Sequence, residues 1–206
     1  MLELVIARHG QSIADIENRY EGRADFPLTD LGREQAAKLA SWIKRNYPPD
    51  FIVSSPLKRT AQTAEVIGRE VQVDIEYDND LMEMDTGLLA GLLRSEADVR
   101  FPKPEGGRKP HEAILGGESL IDFRARAERF WSKLTSTHCN DETINKRILI
   151  VSHGGMINML FGCFLCLPMN DAFDIHTGDT CVHLWRIAKG NQSIQFMNCK
   201  EHLLQA

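Results

Sequence analysis

Two short apolar runs in this chain each end in a His-Gly pair, and they constrain the fold more than any other feature. The first run covers residues 4–8 and leads to His9, and the second covers residues 148–152 and leads to His153. Runs rich in Val and Ile that stop at Gly are typical of buried strands. Because ligands of open α/β sheets bind at the carboxyl ends of the strands, we expect the two histidines to share a pocket.

Predicted helices and strands alternate along the chain. Thr29 is expected to cap a helix that runs to about Tyr47, and Ser55-Pro56 and Ser119 are expected to begin two more. A fourth helix is expected at 155–166, strands at 51–53 and 71–75, and a final antiparallel pair at 181–187 and 193–197. This order predicts an α/β fold, a three-layer α/β/α sandwich around a mostly parallel sheet.

The length of the chain predicts a single domain over residues 1–206. The stretch 101–117 contains three prolines and four glycines and has no hydrophobic periodicity. A loop of this length inside a compact domain is usually functional or mobile. We therefore interpret residues 86–117 as an insertion or lid over the pocket, with a disordered surface excursion as the alternative for 101–117.

Composition excludes several classes of partner. The net charge is −5 and basic residues form no long run, which argues against a nucleic-acid partner. No apolar run reaches 18 residues and the chain enters a predicted strand at once, so we expect no membrane span, no signal peptide and a cytoplasmic location. Cys163 and Cys166 form a CxxC without a second pair, inside a predicted apolar helix, and we interpret them as packing residues rather than metal ligands.

The two histidines and nearby arginines are typical of phosphoryl chemistry. A neutral imidazole such as that of His9 can attack phosphorus and form a phosphohistidine, which divides one difficult displacement into two easier ones. The phosphoryl group needs fixed cations, and Arg8 and Arg59 are the candidates, the latter at the start of a predicted helix. A leaving alkoxide needs a proton, for which Glu83 and Asp85 are alternatives that spacing does not separate.

Blocks of sequence in a fixed order resemble the histidine phosphatase superfamily, in its phosphoglycerate mutase-like branch. The blocks are residues 8–12 (RHGQS), 21–32 (EGRADFPLTDLG), 54–60 (SSPLKRT), Glu83 with Gly87, 116–119 (GGES) and 151–155 (VSHGG). The resemblance extends from about residue 3 to about residue 187 and implies the phosphoglycerate mutase-like fold.

The resemblance also implies roles at matching positions. His9 would be the phosphorylated nucleophile, Glu83 the proton donor, and Arg8, Arg59 and His153 the ligands of the phosphoryl group, with His153 also part of the catalytic set. Further residues are assigned to the phosphate site without a distinct role, namely Gly154, Gln11, Asp15, Glu21 and Gly22. The family uses neither metal nor cofactor for this chemistry. The other histidines, at positions 111, 138, 176, 183 and 202, match no block and are interpreted as structural.

Departures from the family pattern bear on the substrate. Asp15 stands where family members often carry Asn, and a carboxylate there would repel phosphate unless it points away, is neutral or meets a cation on the substrate. Met84 and Thr86 stand where glycolytic mutases have Arg and Tyr, and Leu89 stands where phosphatases often have Trp. These departures argue against a mutase and give no familiar substrate signature.

We therefore expect a metal-independent phosphatase that hydrolyses small phosphorylated metabolites through a phosphohistidine on His9, as a monomer or homodimer. Two alternatives stay open. One is a mutase of the phosphoglycerate type, which returns the phosphoryl group to substrate. The other is a non-catalytic protein that binds phosphorylated ligands, for which Asp15 is the one suggestive feature.

Overall fold

A computed structural model describes residues 1–138, 145–169 and 174–204, and its centre is one six-stranded sheet. The strands are β1 (Leu2–Arg8), β2 (Phe51–Ser54), β3 (Ile75–Tyr77), β4 (Lys146–Ser152), β5 (Val182–Ala188) and β6 (Asn191–Cys199). Their spatial order is β3-β2-β4-β1-β5-β6, with β3, β2, β4 and β1 parallel and β5 and β6 antiparallel to their neighbours. The predicted mostly parallel sheet with an antiparallel pair at the end is confirmed.

Helices occupy the connections between strands. They are α1 (Ile13–Ile16), α2 (Asp30–Asn46), α3 (Lys58–Val71), α4 (Arg94–Arg100), α5 (Leu120–His138), α6 (Gly154–Phe164) and α7 (Glu201–Leu204), with short 3-10 helices at Asn79–Leu81 and Gly87–Leu89. No helix in the described ranges is long and apolar enough to cross a membrane.

The sheet is buried on both faces, because alternate residues of a strand point to opposite sides. On β1, Leu4 and Ile6 pack with residues of α5 and α6. Val5 packs on the other face, with residues of α2 and α3. The central parts of β1 and β4, residues 4–7 and 148–151, are consequently apolar, as expected for parallel strands covered by two helical layers. The structure therefore confirms the α/β/α sandwich.

The ends of α2 and α5 match the residues predicted from capping chemistry. The Thr29 hydroxyl accepts a hydrogen bond from the backbone N–H of Gly32 at 2.9 Å, and α2 ends at Tyr47 just before Pro48. Ser119 accepts from the backbone N–H of Asp122 at 3.2 Å at the start of α5. These side chains satisfy N–H groups that have no partner within the first turn of a helix.

Three predicted boundaries were wrong. Helix α3 begins at Lys58 with Leu57 as its N-cap, because the Ser55 side chain bonds to His153 instead. Helix α3 also extends to Val71 and ends at Gln72 in the left-handed conformation, so β3 starts at residue 75 and not at 71. Helix α6 covers 154–164 instead of 155–166.

The shorter α6 separates the two cysteines of the CxxC pair. Cys163 is buried within the helix, whereas Cys166 follows it, is exposed and has a φ of 53°. In the described ranges, no three His, Cys, Asp or Glu side chains are grouped so that they could hold a metal ion.

The segment 86–117 is only partly irregular. It contains the 3-10 helix Gly87–Leu89 and helix α4, and residues 101–117 have neither helix nor strand. The segment folds back on itself, because the backbone N–H of Leu88 donates to the carbonyl of Leu115 at 3.1 Å. This contact holds the end of the loop beside the residues that follow Glu83.

Candidate active site

The two His-Gly pairs lie side by side at one edge of the sheet. Strands β1 and β4 are parallel neighbours with Arg8 opposite Ser152, so the next residue on each strand is a histidine. The ring centroids of His9 and His153 are 5.2 Å apart, and the two residues are 1% and 0% exposed. Strand pairing therefore brings together the two histidines predicted to share a pocket.

The surroundings of His9 define one tautomer. Its Nδ1 lies 2.8 Å from the carbonyl oxygen of Gly10, and because a carbonyl can only accept, Nδ1 carries the proton. The Nε2 atom then has a free lone pair, which accepts a hydrogen bond from Arg59 Nε at 3.3 Å. Burial, and then the charges of Arg59 and Arg8, hold the pKa of His9 well below its usual value. His9 is consequently a neutral imidazole with Nε2 as its unprotonated nitrogen.

Arg59 is a fixed, buried cation. It is on the first turn of α3 and is 0% exposed. Its Nη1 and Nη2 donate to the carbonyl oxygens of Ala24 and Gly22 at 3.1 and 2.9 Å. These bonds hold the guanidinium against His9, so Gly22 acts through its carbonyl group. Arg59 is therefore positioned to meet an anion at His9 without rearrangement.

Arg8 leaves β1 at the same edge and is held by residues far away in sequence. Its Nη1 donates to the carbonyl oxygen of Thr177 at 2.7 Å, and its Nη2 lies 3.5 Å from Asp179 and 3.7 Å from Asp15. Burial raises the pKa of Asp179. The guanidinium is thus oriented by carboxylates on two sides of the site.

Asp15 has a structural role that its position in the sequence did not reveal. Its Oδ2 accepts a hydrogen bond from the backbone N–H of Ser12 at 2.7 Å, and the Ser12 hydroxyl accepts from the backbone N–H of Asp15 at 3.2 Å. This reciprocal pair is a capping box at the start of α1. Asp15 nevertheless lines the cavity at His9, where Arg8 offsets its charge.

Glu21 introduces a second carboxylate beside the nucleophile. Its Oε1 accepts a hydrogen bond from the Ser12 hydroxyl at 2.5 Å and lies 3.4 Å from Arg59 Nε. Burial raises the pKa of Glu21, and the nearby Arg59 charge and the Ser12 hydrogen bond oppose that effect. The Glu21 carboxyl group therefore lies beside both His9 and Arg59.

Glu83 reaches the site from the loop after β3. Its Oε2 accepts a hydrogen bond from the backbone N–H of Gly155 at 3.0 Å, and its Oε1 accepts from that of Met84 at 2.8 Å. A Cβ on Gly155 would lie 2.5 Å from Glu83 Oε1, so the close approach requires glycine at this position.

The structure separates the two carboxylates that sequence spacing left as alternatives. Asp85 pairs with Arg23 at 3.4 Å and accepts a hydrogen bond from the backbone N–H of Gly87 at 3.0 Å. Glu83 lines the cavity that contains Arg8 and Glu21, whereas Asp85 lines a neighbouring cavity. Geometry therefore favours Glu83 as the carboxylate that meets a leaving group.

The side chain of His153 is held by the residue that follows strand β2. Its Nε2 lies 2.9 Å from the Ser55 hydroxyl, and its Nδ1 has no hydrogen-bond partner among the described residues. Burial and the charge of Arg59 hold its pKa well below its usual value. His153 precedes Gly154, the first residue of α6, whose N-terminal N–H groups favour a negative charge.

One predicted site residue points elsewhere. The side-chain Oε1 of Gln11 accepts a hydrogen bond from the Thr29 hydroxyl at 2.9 Å, and the backbone N–H of Gln11 donates to Gln35 at 2.9 Å. Gln11 thereby holds the start of α2 and does not line the cavity at His9.

A strongly polar cavity of about 290 Å³ lies beside the site and is lined by neighbours of His9, whereas His9, Arg59 and His153 themselves are not among its lining residues. Its lining residues are Arg8, Ala14, Asp15, Asn18, Arg19, Tyr20, Glu21, Gly22, Glu83 and Arg94. We call this space the phosphoryl cavity. Sequence reasoning missed Tyr20 and Arg94, as well as the roles of Ser55, Thr177 and Asp179, because none belongs to a recognisable pattern around either histidine.

Comparisons with known proteins agree with this geometry. A family model described as the histidine phosphatase superfamily, branch 1, matches residues 4–200. A probable phosphoglycerate mutase from Salmonella paratyphi A is 33% identical over 174 residues, covering 82% of this chain and 77% of the relative. Phosphoserine phosphatase 1 from Hydrogenobacter thermophilus is 31% identical over 156 residues, covering 74% and 71%.

A solved structure is similar over nearly the whole chain. The α-ribazole phosphatase from Shigella flexneri superposes with a TM-score of 0.83 at 25% identity, covering 96% of both chains. Both phosphatases and mutase-like proteins are thus among the proteins similar to this one.

Proposed function

The chain belongs to branch 1 of the histidine phosphatase superfamily, and from that premise we propose that it hydrolyses small phosphate monoesters through a phosphohistidine on His9. The observation that carries the proposal is the state of His9, a buried neutral imidazole whose Nε2 lone pair faces Arg59 at 3.3 Å. A nucleophile and a fixed cation at this separation suit attack on a phosphoryl group.

The first step transfers the phosphoryl group to the protein. His9 Nε2 forms a bond to phosphorus while the bond from phosphorus to the ester oxygen breaks. Arg8, Arg59, His153 and the N-terminus of α6 stabilise the phosphoryl oxygens. Glu83, when protonated, donates its proton to the departing oxygen, so that an alcohol leaves instead of an alkoxide.

The second step releases phosphate. The Glu83 carboxylate accepts a proton from water, and the water oxygen attacks phosphorus as the bond to Nε2 breaks. The products are inorganic phosphate, neutral His9 and protonated Glu83, which is the starting state. The residues supply positioning and fixed charge, and no metal is required by this scheme.

Similarity to a probable phosphoglycerate mutase supports a second candidate function. A mutase would use the same first step but return the phosphoryl group from His9 to a hydroxyl of the bound product. The two functions differ in whether water or that hydroxyl reaches the phosphohistidine first. They are distinguished by the products formed from 2- or 3-phosphoglycerate.

The test is hydrolysis of para-nitrophenyl phosphate in excess EDTA by the wild type and by His9→Ala. We expect turnover in the wild type to survive EDTA and to fall by about 10³-fold or more in the variant, since the covalent route is removed. His138→Ala is the control, because it removes an imidazole that packs on Phe51 at the end of α5, outside the site.

Trapping completes the experiment. Protein incubated with a ³²P-labelled ester and quenched with alkaline detergent should carry a base-stable, acid-labile label on wild type and none on His9→Ala. Substantial residual turnover in His9→Ala would contradict the covalent mechanism. Isomerisation of phosphoglycerate faster than phosphate release would establish the mutase instead.

A further inference from the structure

A second cavity, of about 340 Å³, adjoins the phosphoryl cavity. Tyr20 and Arg94 line both spaces. Glu83 lines the phosphoryl cavity, and the next residue, Met84, lines the second one. The two cavities therefore meet at Tyr20 and Arg94, and we call the second one the leaving-group cavity.

Four cationic side chains line the leaving-group cavity. Arg94 comes from α4, and Lys103, Arg108 and Lys109 come from the loop that follows it. Within the described parts of the chain, none of the four forms an ion pair at 4.0 Å or less. This local excess contrasts with the net charge of −5 for the whole chain.

The carboxylates around the same cavity are already engaged. Asp85 pairs with Arg23 at 3.4 Å, and Glu118 pairs with Arg126 at 2.6 Å. Glu112 accepts a hydrogen bond from the backbone N–H of Lys109 at 2.9 Å. Like charges gathered in one concave space repel each other, and a bound anion relieves that repulsion.

Arg94 is held at the boundary between the two cavities. Its guanidinium carbon lies 4.5 Å from the centroid of the Tyr20 ring, a cation–π contact. The backbone N–H of Arg94 donates to the carbonyl of Asn18 at 3.0 Å, and that of Tyr20 donates to the carbonyl of Leu92 at 2.9 Å. A cation is thus fixed where the leaving group would begin.

Apart from Tyr20 and Thr86, the rest of the lining is apolar. Met84, Leu89, Pro110, Ile114 and Leu120 contribute to it. Its volume lies at the lower end of the range for small-molecule sites. Such a space suits a short carbon skeleton with a charged end.

We infer that the preferred substrate is a phosphate monoester whose leaving group carries a second anionic group, bound by Arg94, Lys103, Arg108 and Lys109. This inference rests on the proposed phosphatase function and narrows it to a substrate class. A carboxylate and a second phosphate group are both anions that these four cations could bind, and the test distinguishes the two.

The test uses matched pairs of esters in excess EDTA at low ionic strength. One pair is 3-phosphoglycerate and glycerol 3-phosphate, which differ in a carboxylate, and the other is fructose 1,6-bisphosphate and fructose 6-phosphate. The measured quantity is the ratio of kcat/KM within each pair. We expect at least one pair to favour the ester with the extra anion by on the order of tenfold, and the pair that does so identifies the anion.

Variants connect the preference to the cavity. In the double variant Lys103→Gln/Arg108→Gln the ratio should fall at least about fivefold, and it should also fall for the wild type as salt is raised, since the charges are near the surface. Lys44→Gln/Arg69→Gln removes the same number of charges from exposed positions on α2 and α3, outside both cavities, and should leave the ratio unchanged.

Three outcomes would overturn the inference. Ratios near one in both pairs, with para-nitrophenyl phosphate still hydrolysed, would remove the anionic substrate class and leave the phosphatase function intact. A wild-type preference that the double variant retains would place the anion elsewhere. Absence of hydrolysis of every ester, para-nitrophenyl phosphate included, would remove the proposed function together with the inference.

Discussion

The Oε2 atom of Glu21 lies 3.7 Å from the Nε2 atom of His9, at a place that an oxygen of a bound phosphoryl group would approach. Glu21 therefore places a titratable carboxyl group beside the proposed nucleophile. The charged groups around it are Arg8, Asp15 and Arg59, with neutral His9 beside them. Protonated Glu21 can donate a hydrogen bond to an anion, whereas ionised Glu21 repels it.

Sulfate binding should accordingly weaken as the pH rises. Burial raises the pKa of Glu21 above its usual value, so the carboxyl stays neutral to a higher pH than an exposed glutamate and ionises as the pH increases further. Sulfate keeps its charge from pH 5 to 8. We expect its inhibition constant against para-nitrophenyl phosphate to rise over this range in the wild type, and Glu21→Gln to bind it at least about fivefold more tightly at pH 8.

Glu65→Gln is the control for this measurement, because it removes a carboxylate on α3 that pairs with Arg69, away from the cavity. The same rise of the inhibition constant with pH in Glu21→Gln as in the wild type would show that another group is responsible.

Gly155→Ala should impair proton donation. The new Cβ would lie 2.5 Å from Glu83 Oε1, so the carboxylate must move away from the N–H of Gly155. We expect kcat/KM to fall about fivefold more for phenyl phosphate than for para-nitrophenyl phosphate, whose better leaving group needs less acid assistance. Gly154→Ala meets no atom within 4 Å and should cost less activity. Equal losses on both esters would contradict a role for Glu83 as acid.

Arg126→Gln should affect both activity and stability, because Arg126 holds the loop that carries Glu83. It donates to the carbonyl oxygens of Asp80 and Met82 at 2.7 Å each and of Glu83 at 3.2 Å. It also pairs with Glu118 at 2.6 Å. Loss of a buried cation with these partners should lower the free energy of unfolding by about 3 kcal/mol.

Kinetic measurements separate the role of Arg126 in positioning Glu83 from its role in stabilising the fold. We expect kcat of folded Arg126→Gln to fall about tenfold with a smaller change in KM. Arg124→Gln, on the same helix, loses contacts with Glu128 and Leu167 and should reduce stability with kcat within about twofold. A wild-type kcat in Arg126→Gln would show that the loop holds Glu83 without this arginine.

Acid should destabilise the fold through buried histidines. Burial lowers the pKa of His183 and of His202 to about 4, from the usual 6.5. Below pH 6.5 these two histidines bind protons in the unfolded chain but not in the folded chain. The stability that the neutral imidazoles contribute is therefore complete above pH 6.5 and is lost as the pH falls toward 4. At pH 5 each of the two histidines should lower the free energy of unfolding by about 2 kcal/mol.

Urea denaturation from pH 7.5 to 5 measures this loss. His202→Asn should show a shallower decline than the wild type, since one proton uptake is removed. An unfolding free energy that does not decline below pH 6.5 would show that the imidazoles are protonated without cost.

Local pattern was enough to place the central strands and the two histidines, although not β3. The apolar runs of β1 and β4 predict buried strands by themselves, since burial on both faces of a parallel strand requires continuous apolar residues. Caps such as Thr29 and Ser119 act within one turn, so their effect is also readable from neighbouring residues. The family resemblance rested on the same short blocks and is confirmed.

Contacts between distant segments required the tertiary structure. Arg8 donates a hydrogen bond to the carbonyl group of Thr177, which lies 169 positions away in the sequence. Ser55 bonds to His153, although the sequence predicted that Ser55 begins a helix. The choice between Glu83 and Asp85, and the placement of Glu21 beside His9, depend on the paths of loops through space. Sequence by itself determined which residues are buried strands and which carry reactive groups, because these properties are local. Only the packing of strands and loops decided which of those groups face one another, because distance and orientation across the fold leave no periodic signal in the chain.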